Sequence, residues 1–428
     1  MKNRSRYDMV FWGHVSNGIE RYLPLMVSLK DKGLKPLLFY QNYDFKDGLS
    51  RMQIKTIQAY GLDVMDYSRF LKGDLSLRTI TFFVNIFKYT TRCRFFYNKL
   101  IGLRSKLLQL RINENLIERM LRELMPTIGF FDNISLVEYC AYPYGSYYIK
   151  KVSDQLGIKS FDIFNGMPNH PLKLARKYID FDRYYVPHEH EKQKYYAEHI
   201  ERDAPILVFG DPRFDTNWKE SIKRVFSEDV KKNIERMGIK SKTKILYICP
   251  NLECIGGDSE KYRNIADIAR AAKTLGNTAL LIKPHPRYRY EDKIRLVMKD
   301  SGFNDFFILE DDPLVCYLEH VDFIISVATA AFFDFLPEGH KKIAVYDRGD
   351  FCQSTSLVNI FKEGFNYFNN YDDLLAFLKG KNAAGSMHPD IEGFCSKWVA
   401  GGNGLDTVVE NMSNDILSEF NKLRKGHV

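Results

Sequence analysis

Apolar positions come in short runs separated by amphipathic stretches. Residues 8–13 (DMVFWG) and 35–41 (KPLLFYQ) are continuous apolar runs, the pattern of strands buried on both faces. Between them Ile19, Tyr22, Leu23, Met26 and Leu29 share one helical face, and Gly33 suits the stop, so the spacing predicts a helix over 19–32. Further strands are predicted at 127–132, 160–164, Arg183–Val186 and 206–209. A second series follows at 244–249, 279–283, 306–309, Phe323–Ser326 and Ile343–Tyr346. Strands alternating with helical patterns imply parallel βαβ units. The two series are split by 218–243, a charged, helix-like stretch with no apolar strand.

The expected fold is therefore α/β, with two Rossmann-like domains facing a cleft. An N-terminal domain would occupy 1–217, a linker 218–243 and a C-terminal domain 244–380. The remainder, 381–428, reads as a tail crossing back onto the first half, with a helix from about 405 to 423.

At 428 residues, with 45% hydrophobic and 27% charged, the chain has the make-up of a folded protein of two or three domains. Disorder, collagen and coiled coil are excluded as descriptions of the whole. No apolar run approaches the roughly 18 residues of a membrane span, and no signal peptide is expected. The seven cysteines are scattered with no CxxC pair, which reads as reduced thiols of a cytoplasmic protein.

The net charge of +8 and the 14% aromatic content suit an anionic partner: nucleic acid, anionic lipid or a phosphorylated substrate. The charge concentrates in 76–113, which holds eight Lys/Arg, no acid, and interleaved Phe82, Phe83, Ile86, Phe87, Phe95, Phe96 and Tyr97. Such a stretch suits an anionic membrane surface, where each cation contributes about 1 kcal/mol. It equally suits a solvated cationic face over a buried stripe. No nucleic-acid-binding motif accompanies it, so no nucleic-acid partner is expected. The resulting expectation is a cytoplasmic protein, peripheral at the inner face of the membrane.

The sharpest chemical signal is 279–287, ALLIKPHPR. A buried strand runs into Lys283, His285 and Arg287, and two prolines stiffen the turn. Ligands of open α/β sheets bind outside the carboxyl ends of the strands, so these groups arrive where a phosphate or diphosphate would sit. One βα unit later, 321–336 reads VDFIISVATAAFFDFL; Ser326 and Thr329 stand where a strand gives way to a helix start, a natural anion site or a plain cap. The first half offers FNGMPNHPLK (164–173) with Asn165 and His170, GDPRFD (210–215) with Arg213 and Asp215, and GHVSNG (13–18) with His14. Asn165, His170 and His14 would line the cleft on the acceptor side. Arg213 would contact the acceptor there or pair with Asp215 as a brace. Neither GxGxxG nor a P-loop is present. His188 and His190 lack a third ligand at sensible spacing, so no metal site is expected.

The order of the GxP loop, GDPRFD, KPHPR, the Ser326–Thr329 segment with FDFL, and VYDR at 345–348 resembles GT-B transferases of bacterial surface polymers. Closest in look is the CDP-glycerol glycerophosphotransferase family of teichoic-acid-like chains; CMP-sugar (sialyl and Kdo) transferases are similar more loosely. The resemblance covers roughly 160–350. It implies that His285, Ser326 and Thr329 hold the donor phosphate, with Lys283 and Arg287 beside them and the acids Asp334 and Asp347 near the donor. Where that family has His-Gly, this chain has Asn165–Gly166, and Asn takes no proton. His170 or His14 would then serve as base, or another acceptor or mechanism applies.

The expected function is transfer of a group from a nucleotide-activated donor, cytidine by resemblance, to a hydroxyl of a capsule, lipopolysaccharide or teichoic-acid-like acceptor, with no cofactor and no metal. A nucleotide-sugar epimerase on the same fold and a non-catalytic polymer-assembly protein are the rival readings.

Overall fold

A computed structural model describes residues 7–13, 16–40, 49–66, 79, 114–131, 143–163, 181–198, 204–240, 243–250, 262–285, 290–310, 312–327, 329–338, 342–348, 357–380 and 390–426. The chain divides into two compact units. One holds the described residues up to Asp215 together with those from Ala400 onward; the other is Thr216–Val399.

In the first unit, seven strands form one parallel sheet: β1 (Met9–Gly13), β2 (Pro36–Tyr40), β3 (Asp63–Asp66), β4 (Ile128–Phe131), β5 (Lys159–Ile163), β6 (Arg183–Val186) and β7 (Ile206–Val208). Their order is β3-β2-β1-β4-β5-β6-β7, and every neighbouring pair is parallel. β1 is buried along its whole length, as a central strand covered on both faces must be. Phe11 stacks on Phe130 of β4 at 4.3 Å, and Trp12 packs on Phe39 of β2. The helix predicted after β1 runs Ser16–Asp31 and buries Ile19, Tyr22, Leu23, Met26 and Leu29. Gly33, at φ +84°, ends it: its N–H donates to Lys30 O and that of Leu34 to Leu29 O, a left-handed cap that glycine adopts without strain.

In the second unit, β8 (Thr243–Ile248), β9 (Thr278–Lys283), β10 (Phe306–Ile308), β11 (Phe323–Ser326), β12 (Ile343–Tyr346) and β13 (Asn366–Phe368) form a parallel sheet in the order β10-β9-β8-β11-β12-β13. β3 and β13 were not among the predicted strands. Both lie at sheet edges, and Asp63, Asp66 and Asn366 interrupt the apolar run that marks a central strand.

The stretch 218–243, expected as a linker, is mostly one helix, Thr216–Arg236, inside the second unit. Trp218, Ile222, Phe226 and Val230, spaced four apart, make a buried stripe that its charged remainder hides from a run-based reading. The buried ammonium of Lys219 donates to Leu336 O, and Asn233 donates to Asp312 at 2.8 Å.

The chain end divides between the units. The helix Ile391–Trp398 belongs to the second, where Phe394 meets the rings of Phe333 and Phe365. From Ala400 the chain belongs to the first, and the helix Val408–Gly426 buries Val408, Met412, Ile416 and Phe420. Asp415 on this helix accepts from Arg183 at 2.6 Å and from Tyr185 at 2.7 Å, and Asp215 accepts the N–H of Val409 at 3.0 Å. Gly401 makes the approach possible. A Cβ there would stand 2.7 Å from Gly210 N and 2.8 Å from Pro187 O, at φ +60°. Gly401→Ala is expected to destabilise the first unit by about 1–3 kcal/mol through strain and backbone clash. It should also open the segment before the last helix to protease. Thermal unfolding with limited proteolysis checks this, and an unchanged midpoint and digestion pattern would refute it.

Candidate functional site

In the second sheet the strand order reverses between β8 and β11. The crevice outside the carboxyl ends at such a switch point is where open α/β sheets take ligands. The residues leaving the strands there are Cys249 and Pro250 after β8, Pro284 and His285 after β9, Val327 after β11, and Asp347 and Arg348 after β12. β9 and β11 flank β8, so His285 and Val327 lie on loops roughly two strand spacings, about 10 Å, apart.

His285 is half-buried at this edge, on a turn fixed by the buried Pro284. Other residues expected at a donor phosphate are turned inward instead. The hydroxyl of Ser326 is wholly buried and donates to Ile248 O at 2.6 Å, which ties β11 to the last residue of β8. The ammonium of Lys283 donates to Glu310 O at 2.6 Å and Asp312 O at 3.2 Å, bracing the turn after β10. Both side chains donate to backbone carbonyls at this edge of the sheet.

Thr329 caps by accepting the N–H of Ala331. The helix it opens is a six-residue 3-10 segment, Ala330–Phe335, not the α-helix expected, so it carries little dipole. Asp334 lies by the buried Lys219 ammonium; burial pushes that lysine's pKa down while the charges of Asp334 and Glu338 pull it up. Asp347 is buried, and its N–H extends the β12–β13 ladder by donating to Phe368 O at 2.9 Å. Arg287 lies outside the described residues, as do His14, Asn165, His170 and all of 76–113 except residue 79.

Beside Asp347 stands a group that sequence reasoning did not single out. Asp267, buried in the helix Arg263–Leu275 that follows β8, accepts from Tyr346 OH at 2.7 Å and from Arg348 Nη1 at 3.0 Å on one oxygen. Its other oxygen pairs with Arg270 at 3.2 Å, and the Arg270 guanidinium lies 3.7 Å over the ring of Tyr371. Burial, together with the bonded Asp267 carboxylate, pushes the Tyr346 phenol well above its ordinary range. In the sequence only the Asp267–Arg270 spacing of three on a helix is visible; the partners Tyr346 and Arg348 lie about eighty residues away.

In the first unit, GDPRFD is a structural latch. Asp211 is buried against Arg21, with Oδ2 at 2.8 Å from Nη2 and 2.9 Å from Nε. Arg213, expected to contact an acceptor or to pair with Asp215, reaches Glu20 at 3.6 Å and stacks 4.2 Å over Phe214. Burial alone would raise the pKa of Asp211, but the charges of Arg21 and Arg213 and their hydrogen bonds hold it below the usual carboxylate range. His188 Nδ1 accepts the N–H of Glu191 at 3.2 Å, a capping role. Among the described residues no group of three or more His, Cys, Asp or Glu is placed to hold a metal. Burial pushes the thiols of Cys395 up to about 11 and Cys316 up to about 12, so neither is a ready nucleophile.

No protein-family profile matches the chain, and no curated protein matches it in sequence. Solved structures do match along its whole length. The UDP-GlcNAc 2-epimerase of Neisseria meningitidis, bound to UDP-GlcNAc, is 12% identical, covers 96% of this chain and 99% of its own, and has a TM-score of 0.59. A glycosyltransferase of Rickettsia africae is 14% identical, covers 99% and 100%, and has a TM-score of 0.53. Anabaena HepE, solved with UDP and glucose, is 10% identical, covers 96% and 100%, and has a TM-score of 0.53. The fold is GT-B. At these identities the likeness carries the architecture of two Rossmann-like sheets and no more.

The Arg21–Asp211 pair yields a pH prediction. Asp211's folded pKa is depressed, so its contribution to stability is present above its unfolded value near pH 4 and is lost as pH falls through the folded value. Arg21→Gln removes the ion-paired one of the two arginines whose charges hold buried Asp211 and is expected to destabilise the unit by up to about 3–5 kcal/mol at pH 7. The gap from wild type should narrow below about pH 4 as Asp211 protonates. Denaturant unfolding from pH 7 to pH 3 measures it; a gap independent of pH would contradict the assignment.

Proposed function

We propose that this chain binds a nucleotide-activated donor at the carboxyl edge of its second sheet and passes the activated group to a hydroxyl of a surface-polymer acceptor. The observation that carries the reading is His285: a half-buried imidazole held by Pro284 at the end of β9, beside the switch point of a GT-B sheet. In the transfer, the acceptor oxygen forms a bond to the anomeric carbon, or to phosphorus for a polyol-phosphate donor. The bond to the nucleotide's phosphate oxygen breaks, and the electron pair leaves with the nucleotide. The hydroxyl proton passes to a base, for which His170 is the first candidate and His14 the second. His285 donates a hydrogen bond to the phosphate oxygen as charge develops on it, and stabilisation of this kind is usually the largest catalytic contribution.

The KPHPR motif and its neighbours support a cytidine nucleotide by resemblance, and the basic stretch 76–113 supports an acceptor presented at an anionic membrane. The structural neighbours named above include proteins solved with UDP-GlcNAc and with UDP, which keeps uridine donors in the test.

CDP-, CMP- and UDP-linked donors offered with a polyol or glycan acceptor should give nucleotide release from one of them, and His285→Ala should lower it by about 10²–10³-fold. Isomerisation of the donor sugar with no acceptor consumed would make the chain an epimerase instead. No binding or release with any donor would leave a polymer-assembly protein.

A further inference from the structure

Among the described residues, one cation was expected to meet the donor phosphate. Lys283 is committed to two backbone carbonyls, and the segment at Ser326 ends in a short 3-10 turn. Arg348 lies two residues past β12 on the same edge of the sheet, with 38% of its side chain exposed. Its Nη1 is fixed by Asp267 at 3.0 Å, and among the described residues its remaining guanidinium N–H groups have no other hydrogen bond or ion pair. A guanidinium has five donors in a rigid fork, so one anchored nitrogen sets the direction of the others.

The anchor itself is rigid. Asp267 is buried, and the same oxygen that takes Arg348 also takes Tyr346 OH at 2.7 Å. Arg270 holds the other oxygen and is itself flattened on Tyr371. The backbone between Tyr346 and Arg348 is pinned as well, by the bond from Asp347 N–H to Phe368 O. A surface arginine held at one nitrogen by a fixed carboxylate, on a pinned backbone, has already lost part of the rotamer freedom that binding an anion would otherwise cost it.

We propose that Arg348 is the preorganised phosphate-binding cation of the second unit, with Asp267 and Tyr346 as its positioning residues, and that it takes a phosphate or diphosphate group. The assignment rests on the nucleotide-donor reading for its biological ligand, but the phosphate chemistry stands by itself. Bidentate contact from a guanidinium suits the tetrahedral oxygens of a phosphate, and Lys283 does not compete for it.

Calorimetric titration with inorganic pyrophosphate, CDP, UDP and the free nucleoside cytidine tests the proposal on wild type, Arg348→Gln, Arg348→Lys and Tyr346→Phe. Arg348→Gln should weaken pyrophosphate and the binding nucleotide tenfold to a hundredfold while changing any cytidine affinity less than about twofold. Arg348→Lys, which keeps charge but loses the fork, should recover only part of the loss. Tyr346→Phe should weaken pyrophosphate severalfold with little change in melting temperature. A merely structural Arg348–Asp267 brace would lower the melting temperature of Arg348→Gln and leave pyrophosphate affinity unchanged, which overturns the proposal.

Nucleotide binding that is indifferent to Arg348 would overturn this assignment and leave the donor reading intact. Pyrophosphate binding that depends on Arg348, without binding of any nucleotide or nucleotide-linked donor, would uphold the site and overturn the donor reading. Wild type that binds neither overturns both.

Discussion

A parallel sheet delivers the carboxyl ends of all its strands to one edge, and the carbonyls there need donors. In the second unit this requirement decides what the signature residues do. Ser326 gives its proton to Ile248 O, Lys283 spans Glu310 O and Asp312 O, and Cys249 N–H reaches Lys283 O. The edge of the sheet is thereby stitched from β10 to β11 by one backbone bond and by two side chains that a motif reading assigns to a ligand. In the proposed reading the ligand meets the layer above: the half-buried His285 on one side of the switch point and the anchored Arg348 on the other. A platform of satisfied backbone with a few fixed polar groups on it is the usual construction of a small-molecule site.

Each unit also contains a buried carboxylate that gathers arginines. Asp211 binds Arg21 and the backbone N–H of Arg213 in the first; Asp267 binds Arg270 and Arg348 in the second. The two differ in what they leave outside. Arg21 is buried with its partner, so that pair fastens the first helix to the segment after β7. Arg348 is not, so the same chemistry there turns a cation outward. The cost of burying a charge is met in both cases by multiple hydrogen bonds to the carboxylate, the condition under which such groups persist.

The central strands were legible because a strand covered on both faces must be a continuous apolar run, and β1, β2, β8 and β9 are such runs. The edge strands β3 and β13 were not, because an edge needs less burial and tolerates Asp or Asn. The helix Thr216–Arg236 read as a helix but not as part of a core, since only one residue in four faces inward. At the site, the positions of His285, Ser326 and Asp347 at strand ends could be read from run lengths, but the direction of each side chain could not. Whether a hydroxyl faces a phosphate or a carbonyl depends on the neighbouring strand, and β8 lies far from β11 in sequence. Asp267 was invisible for the same reason: its partners Tyr346 and Arg348 are brought to it by the sheet order, not by local spacing.

Where a nucleotide settles decides whether the second sheet carries the donor site. Hydrogen–deuterium exchange with and without saturating CDP or UDP locates it directly. Protection confined to the peptides that end β8, β9 and β12, around Cys249, His285 and Arg348, is the result expected. Protection confined to the strand ends of the first sheet, or a nucleotide bound with no protection at the second, would contradict it.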